Sequence, residues 1–201
     1  MITATTQADL MQQARRILTE CVILDTETTG LKDTDTIIEL AAVEGMTCEL
    51  LQWAYLLTKN EVCQEITELT GITQAKLDED GCDPEEVLSN LFLTLEIEEL
   101  KIAAYNLTFD SRMIRQTMAA CEMTAENEPA YRQSNCIMEL ANRYFSEYLE
   151  WDAEHSKFKR LSLDKCLEIT GIKRSGYAHR ALSDAIAARD LLVYIAEGQR
   201  P

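Results

Sequence analysis

Cations are scarce in this chain: 19 lysines and arginines stand against 35 aspartates and glutamates, a formal net charge of −16 at pH 7 over 201 residues. Proteins that grip nucleic acid by broad phosphate neutralisation are usually basic, so that mode of binding is excluded. Long apolar runs are missing too. The longest, around Leu88–Leu95, is broken by Ser89, Asn90 and Thr94, well short of the roughly 18–20 residues that span a bilayer. No charged stretch followed by an apolar core opens the chain, so a secretory signal is not expected. Cysteine is present seven times, at positions 21, 48, 63, 82, 121, 136 and 166, but never as C-x-x-C. An odd count without close spacing argues against a disulfide framework or a zinc site. Buried or half-buried free thiols in a reducing compartment are expected, and cytoplasmic residence follows. Seven glycines and three prolines leave no flexible linker, and there is no repeat. The chain therefore reads as an N-terminal extension with a helix over 1–20, followed by a single domain over 21–198.

What is present has the balance of a globular protein, 46% hydrophobic and 27% charged. Leu10, Ala14, Ile17 and Leu18 recur at helical spacing, whereas residues 1–8 are small and polar with little to fold around. Cys21–Leu24 is a continuous apolar run that predicts a buried strand ending at Asp25. Ile37–Val43 and Leu50–Leu57 predict two more, joined antiparallel across Gly45. Helices are predicted over Asn60–Thr70, stopped by Gly71, and from Pro84 to about Glu96, with Asp83 as cap and Glu86 completing a capping box. A strand at Lys101–Tyr105 is followed by helices from Asn106 or Thr108 to Ala120, over Asn135–Leu149, over Ser162–Thr170 before Gly171, and from Leu182 to Ala196. Tyr148–Arg160, rich in charge and aromatics, is the candidate mobile loop. Strands first and helices interleaved later give an α/β protein with a mixed central sheet.

Charge is unevenly spread. Between Glu61 and Lys101 acids greatly outnumber Lys76 and Lys101, forming a face that serves either recruitment to a larger assembly or plain solubility. From Lys157 to Arg180 the balance reverses: Lys157, Lys159, Arg160, Lys165, Lys173, Arg174 and Arg180 oppose only Asp164 and Glu168. That run is either a solvated surface or a phosphate-facing patch.

A smaller set of residues carries chemistry. Asp25 and Glu27, two apart in an extended segment, point to the same side at the exit of an apolar strand. Two anions so placed favour a hard divalent cation such as Mg²⁺ or Mn²⁺. Asp110 and Asp184 each fall in the first turn of a predicted helix, where the dipole alone favours an acid. His179 precedes Asp184 by five residues, about 140° around a continuous helix. They share a site only if His179 lies in the loop ahead of it, which Gly176-Tyr177-Ala178 allows. His155, the other histidine, sits in the charged loop and reads as solvent-exposed.

Taken in order, Asp25-x-Glu27, Asp110 and His179-x4-Asp184 resemble the DEDDh exonucleases, the superfamily that includes the proofreading subunit of bacterial replicative DNA polymerase. Val22-Ile-Leu-Asp-Thr-Glu-Thr-Thr-Gly-Leu31 is similar to its first motif, Ala104-Tyr-Asn-Leu-Thr-Phe-Asp110 to its second, and His179-Arg-Ala-Leu-Ser-Asp-Ala185 to its third. Ile37-Ile-Glu-Leu-Ala-Ala-Val43 matches the strand after the first motif, and the likeness runs from about Cys21 to Ala196. The resemblance implies an RNase H-like fold, a mixed sheet flanked by helices. It also implies hydrolysis of phosphodiester bonds at nucleic-acid 3′ ends with two divalent ions, Mg²⁺ or Mn²⁺. Carried over, Asp25, Glu27 and Asp184 hold the first ion, Asp25 bridges to a second supported by Asp110, and His179, with an unperturbed pKa of about 6.5, is the general base. Bound cations would also answer the charge objection. Thr26 and Thr28 match positions lining the terminal-nucleotide pocket, and Glu65–Thr73 resembles the segment closing over it. Thr70 replaces that segment's usual histidine, and Tyr105 stands where the second motif commonly has one, leaving Asn106 intact. Both departures bear on substrate preference. A DNA 3′–5′ exonuclease is the expected activity; an RNA-trimming enzyme of the same superfamily and a non-catalytic nucleic-acid scaffold are the alternatives. Phe109, Tyr131 and Trp151 are the aromatic candidates for base stacking.

Overall fold

A computed structural model describes residues 6–124 and 135–201; Tyr131 lies outside the described residues. Four strands form the central sheet in the order β3-β2-β1-β4, with β1 at Cys21–Thr28, β2 at Ile37–Glu44, β3 at Leu50–Tyr55 and β4 at Lys101–Ala104. β1 and β2 pair antiparallel, as do β2 and β3, while β1 and β4 run parallel, so the sheet is mixed as predicted. The parallel register ends at Leu24↔Ala104. Asp25 and Glu27 lie beyond that point and are held from one side only, by β2.

Around the sheet lie α1 (Gln7–Glu20), α2 (Gln64–Thr70), α3 (Gln74–Asp80), α4 (Pro84–Ile97), α5 (Leu107–Ala120), α6 (Ile137–Tyr144), α7 (Leu163–Thr170) and α8 (Ala181–Ala196). The buried side chains of α1 and of α4 to α8 join those of β1, β2 and β4 in the main core, to which α1 adds Leu10, Ala14, Ile17 and Leu18. Thr6 caps α1 in a reciprocal box with Asp9, so the helix start is written in its own first four residues. Ala181, Ala185, Ala187 and Ala188 make α8 thin on its buried side, and it packs directly on β1 and β2. At the β2–β3 turn a Cβ on Gly45 would meet the Leu18 carbonyl at 2.4 Å, which is why the chain has no side chain there. A smaller core of Ile38, Tyr55, Val62, Ile72 and Leu77 is built with the α2–α3 segment.

Several boundaries differ from the pattern-based expectation. The helix expected from Asn60 begins only at Gln64, because the Asn60 amide brackets the preceding loop, donating to the Thr34 carbonyl at 2.8 Å. α3 was hidden from periodicity: its seven residues bury Leu77 alone, and Thr73 caps it through the Lys76 N–H at 3.1 Å. At α4, Asp83 does cap, but through the Glu85 N–H at 2.8 Å, and no reciprocal bond from Glu86 forms the expected box. The helix expected over Asn135–Leu149 stops at Tyr144, followed by a single 3-10 turn at Ser146–Tyr148. The fully buried Phe145 sits at that break, its ring packed against Tyr144, Tyr148 and Tyr194. The Tyr148–Arg160 stretch contains a two-stranded hairpin, β5 at Trp151–Asp152 and β6 at Lys157–Phe158. Gly71 and Gly171 end their helices in the left-handed region as anticipated. Cys63 and Cys82 are exposed rather than buried, and all seven thiols are free. Among the described residues no helix is long and apolar enough to cross a membrane.

Candidate active site

The carboxyl ends of β1 and β4 lie side by side because the two strands are parallel, and the N-terminal turns of α5 and α8 bring acids to the same edge. β4 hands over to α5 at Asn106, which places Asp110 in the first turn of that helix, 3% exposed. Thr26 on β1 reaches it: the Thr26 hydroxyl donates to Asp110 Oδ1 at 2.9 Å. α8 begins at Ala181, with Asp184 in its first turn. His179 precedes the helix with φ of +57°, a left-handed backbone that lifts it out of helical phase. The loop placement required for His179 and Asp184 to share a site is therefore what the fold provides. One ligand atom from each of Glu27, His179 and Asp184 lies within 4.8 Å of the other two. Asp25, two residues from Glu27 on the same strand, and Asp110 stand beside this trio: the charge of Asp110 acts on both Asp25 and Glu27, and that of Glu27 on Asp25.

That burden shows in the protonation behaviour. Burial pushes the Glu27 carboxyl up to about 8 from an ordinary 4.5, and the charges of Glu39 and Asp110 push the same way against Arg180 and Arg174. Asp25 keeps some accessible surface, yet protein closes around its carboxyl. It too rises well above the ordinary range, first through desolvation and then through Asp110, Glu27 and Glu39. Asp110 shifts upward by desolvation, opposed by its hydrogen bonds from Thr26 and the backbone. Carboxylates that resist ionising together, with an imidazole within 4.8 Å of Glu27 and Asp184, are a donor set that fits a hard divalent cation.

The sign of the stability effect follows. A carboxyl whose pKa is raised in the fold contributes stability that is complete below the unfolded value, near 4.5, and lost as pH climbs through about 8. Chelator-treated protein is expected to lose melting temperature steadily between about pH 5 and pH 8.5. Adding Mn²⁺ should raise the melting temperature most at the alkaline end, where its ligands are deprotonated. Scanning calorimetry across that range, with and without Mn²⁺, measures both slopes. A melting temperature that rises with pH in chelator would contradict the assignment.

Two features escaped the reading of motifs. The first is Glu39, 1% exposed in the middle of β2 and directly opposite Glu27 across the ladder. Like charges so placed repel, and a cage of donors resolves it. Arg180 donates to Glu39 through Nε at 3.1 Å and Nη2 at 2.8 Å, the Trp53 indole at 2.9 Å, and the Ala181 N–H at 3.0 Å. Arg180 also bonds the Tyr55 hydroxyl and lies over its ring. Glu39 thus supplies the cap that α8 lacks in its own sequence, holding the residue next to His179. An isolated glutamate inside an apolar strand was the available signal. The second is Arg174, whose guanidinium bridges Asp164 and Asp184. It belongs to the basic run of 157–180, most of which is neutralised locally: Lys159 by Glu150, Arg160 by Glu139, Lys165 by Glu168 and Arg180 by Glu39. Among the described residues Lys157 and Lys173 alone of that run are without an ion pair. Most cations of the run are thus ion-paired within the protein rather than standing alone.

The remaining site candidates divide into committed and available groups. Thr28 donates to the Gly30 carbonyl at 2.9 Å, and Thr70 donates to the Ile66 carbonyl at 2.8 Å while accepting from the Ile72 N–H at 3.0 Å, so both hydroxyls serve their own loops. Tyr105 turns inward, donating to the Leu161 carbonyl at 2.7 Å. Asn106 and Glu65 are exposed, and the Asn106 side chain makes no cap hydrogen bond. His155 is exposed and paired with Asp152 at 2.9 Å on the hairpin. Trp151, 56% exposed, packs edge-on against Phe158 across the hairpin, and half-buried Phe109 lies under Arg112.

Comparison with known proteins agrees with this architecture. The chain is 27% identical, over 96% of its own length and 97% of the other's, to the uncharacterized exonuclease CP81 of Escherichia phage 186. Its fold superimposes on the nuclease domain of 3′hExo, a DEDDh family member solved with rAMP. The TM-score is 0.67 at 18% identity, covering 90% of this chain and 93% of that one. It also matches E. coli Exonuclease I in complex with a dT13 oligonucleotide, at a TM-score of 0.67 and 17% identity; there it covers 90% of itself but only 42% of the larger enzyme. These likenesses establish the RNase H-like exonuclease fold. The family model described as exonuclease, RNase_T, matches residues 22–192, and the chain belongs to that family.

Proposed function

We propose that this protein is a 3′–5′ exonuclease acting on DNA, with Asp25, Glu27, Asp110 and Asp184 holding two divalent ions, Mg²⁺ or Mn²⁺, and His179 as general base. The observation that carries the reading is the meeting of Glu27, His179 and Asp184, drawn from segments about 150 residues apart, within 4.8 Å of one another, with Asp110 bonded to Thr26 of the strand that also bears Asp25. When bound, such ions lower the pKa of water and stabilise charge on the scissile phosphate. The chain's own part is positional. β1 presents Asp25 and Glu27 on one side, Thr26 fixes the Asp110 carboxylate, and the α8 cap built by Glu39 orients the turn bearing His179. From there the imidazole takes the proton of an attacking water. Asn106 and Glu65, both exposed, and the backbone at Thr26 and Thr28 are assigned contacts to the terminal nucleotide. Thr70 contributes through its loop rather than its hydroxyl. A cytoplasmic setting suits the seven free thiols.

A digestion panel tests the polarity and the substrate. Purified protein with Mn²⁺ is expected to shorten single-stranded DNA from its 3′ end, so that a 3′ label is released as mononucleotide while a 5′ label persists on a ladder of shortened strands. Release of the 5′ label first would refute the assigned direction. RNA is the second reading, favoured by the 3′hExo nuclease domain bound to rAMP and by a 3′-exonuclease that recognises a histone mRNA stem-loop; faster trimming of RNA than of DNA in the same panel would select it. A wild-type protein as inert as Asp25→Ala would point instead to a scaffold.

A further inference from the structure

Arg174 sits in the loop between α7 and α8, flanked by Gly171 and Gly176, both with positive φ. Its side chain is 12% exposed and that of Asp184 13%, so the ion pair between them is largely withdrawn from water. The other arm of the guanidinium meets Asp164, which is 64% exposed in the first turn of α7. The same cation weighs on Asp25 and Glu27, favouring their charged forms. Three of the four carboxylates it acts on are those assigned above to divalent ions, and it contacts one of them through the oxygen Oδ1. Arginine keeps its charge at any physiological pH and cannot yield its place by deprotonating.

We propose that Arg174 is a built-in competitor for the divalent ion: it neutralises Asp184 until an ion takes that carboxylate, and then swings away on its two-glycine loop with Asp164 as its remaining partner. The inference rests on the metal assignment made above. Its physical logic is that a fold carrying a cluster of carboxylates at one strand end needs a compensating cation to limit their repulsion. A tethered arginine supplies one at a fixed local concentration. An ion then binds only by displacing it, so apparent affinity is set by the difference between the two interactions rather than by the ligands alone. Gly171 and Gly176, which bound the loop and carry no Cβ, are the positions suited to absorb the backbone change of that displacement.

The test is calorimetric titration of chelator-stripped, full-length protein with MnCl₂, without nucleic acid. Arg174→Gln is expected to bind Mn²⁺ about tenfold more tightly than wild type, the lower end of what an adjacent arginine does to a carboxylate. It should also melt lower in chelator and gain more on adding Mn²⁺. Arg174→Lys, which keeps the charge but loses the two-armed geometry, should fall between and guards against misfolding of the first variant. Circular dichroism confirms that each is folded. Mn²⁺ affinity in Arg174→Gln that equals or falls below wild type overturns the competitor. If neither wild type nor Arg174→Gln binds Mn²⁺, the metal assignment itself has failed and the competitor goes with it; loss of binding in Asp25→Ala alone confirms that the titration reads the assigned site.

Discussion

Asp25→Asn is expected to slow 3′-nucleotide release in Mn²⁺ by about 10³-fold, equivalent to about 4 kcal/mol of the several that a bound metal contributes to phosphoryl chemistry. The same variant is expected to melt higher than wild type in chelator. Asp25 is the carboxyl on which desolvation and three neighbouring acids, Asp110, Glu27 and Glu39, all act together. An amide of the same shape removes that repulsion while taking away an oxygen anion the ions need. Stability and activity therefore move in opposite directions, a combination that mere unfolding does not produce. Single-turnover release from a 3′-labelled oligonucleotide, paired with melting curves in chelator, measures both. Activity within tenfold of wild type would remove Asp25 from the reacting centre.

Glu39→Ala carries the second large effect, this time on folding. It strands Arg180, only 29% exposed, with no carboxylate, and leaves the Ala181 N–H and the Trp53 indole without the acceptor they now share. Breaking a buried pair by deleting one partner costs roughly 3–5 kcal/mol; because Arg180 keeps some contact with solvent, the lower figure is expected. For a domain of this size, about 3 kcal/mol corresponds to a drop of about 6–12 °C in melting temperature. Glu39→Gln keeps the shape and one acceptor, and should recover about half of it. If Glu39→Ala melted within 2 °C of wild type, roughly the shift of a minor surface change, the caged carboxylate would not be what holds the start of α8. Activity should fall further than stability does, since the turn carrying His179 loses its anchor.

How much of this was legible in the sequence varies with the range of the interaction. The antiparallel pair across Gly45 and the helix stops at Gly71 and Gly171 rest on apolar runs and backbone chemistry a few residues long, and the fold has them where the pattern puts them. The strand expected to end at Asp25 instead runs on to Thr28, because pairing with β2 continues past the end of the apolar run. The loop placement of His179 was legible for the same reason: Gly176 and the five-residue gap to Asp184 are local facts. α3 was not, because seven residues burying one leucine leave no period to detect. Nor was the break after Tyr144, which exists because Phe145 packs with Tyr194, a residue on a different helix.

By itself, then, the chain's order of residues determined the sheet's strands, the candidate acids and the family to which they point, since each of these is carried by short-range pattern and by motif. Tertiary structure alone decided which cations are free and which are bound. It gave α8 its cap from Glu39, 142 positions away from Ala181, placed Arg174 on Asp184, and tied the hydroxyls of Thr26 and Thr28 into the protein itself. Periodicity reports which side of an element is buried; it holds no information about which distant charge will stand opposite. In a chain of net charge −16, that pairing settles how a crowd of carboxylates is kept together.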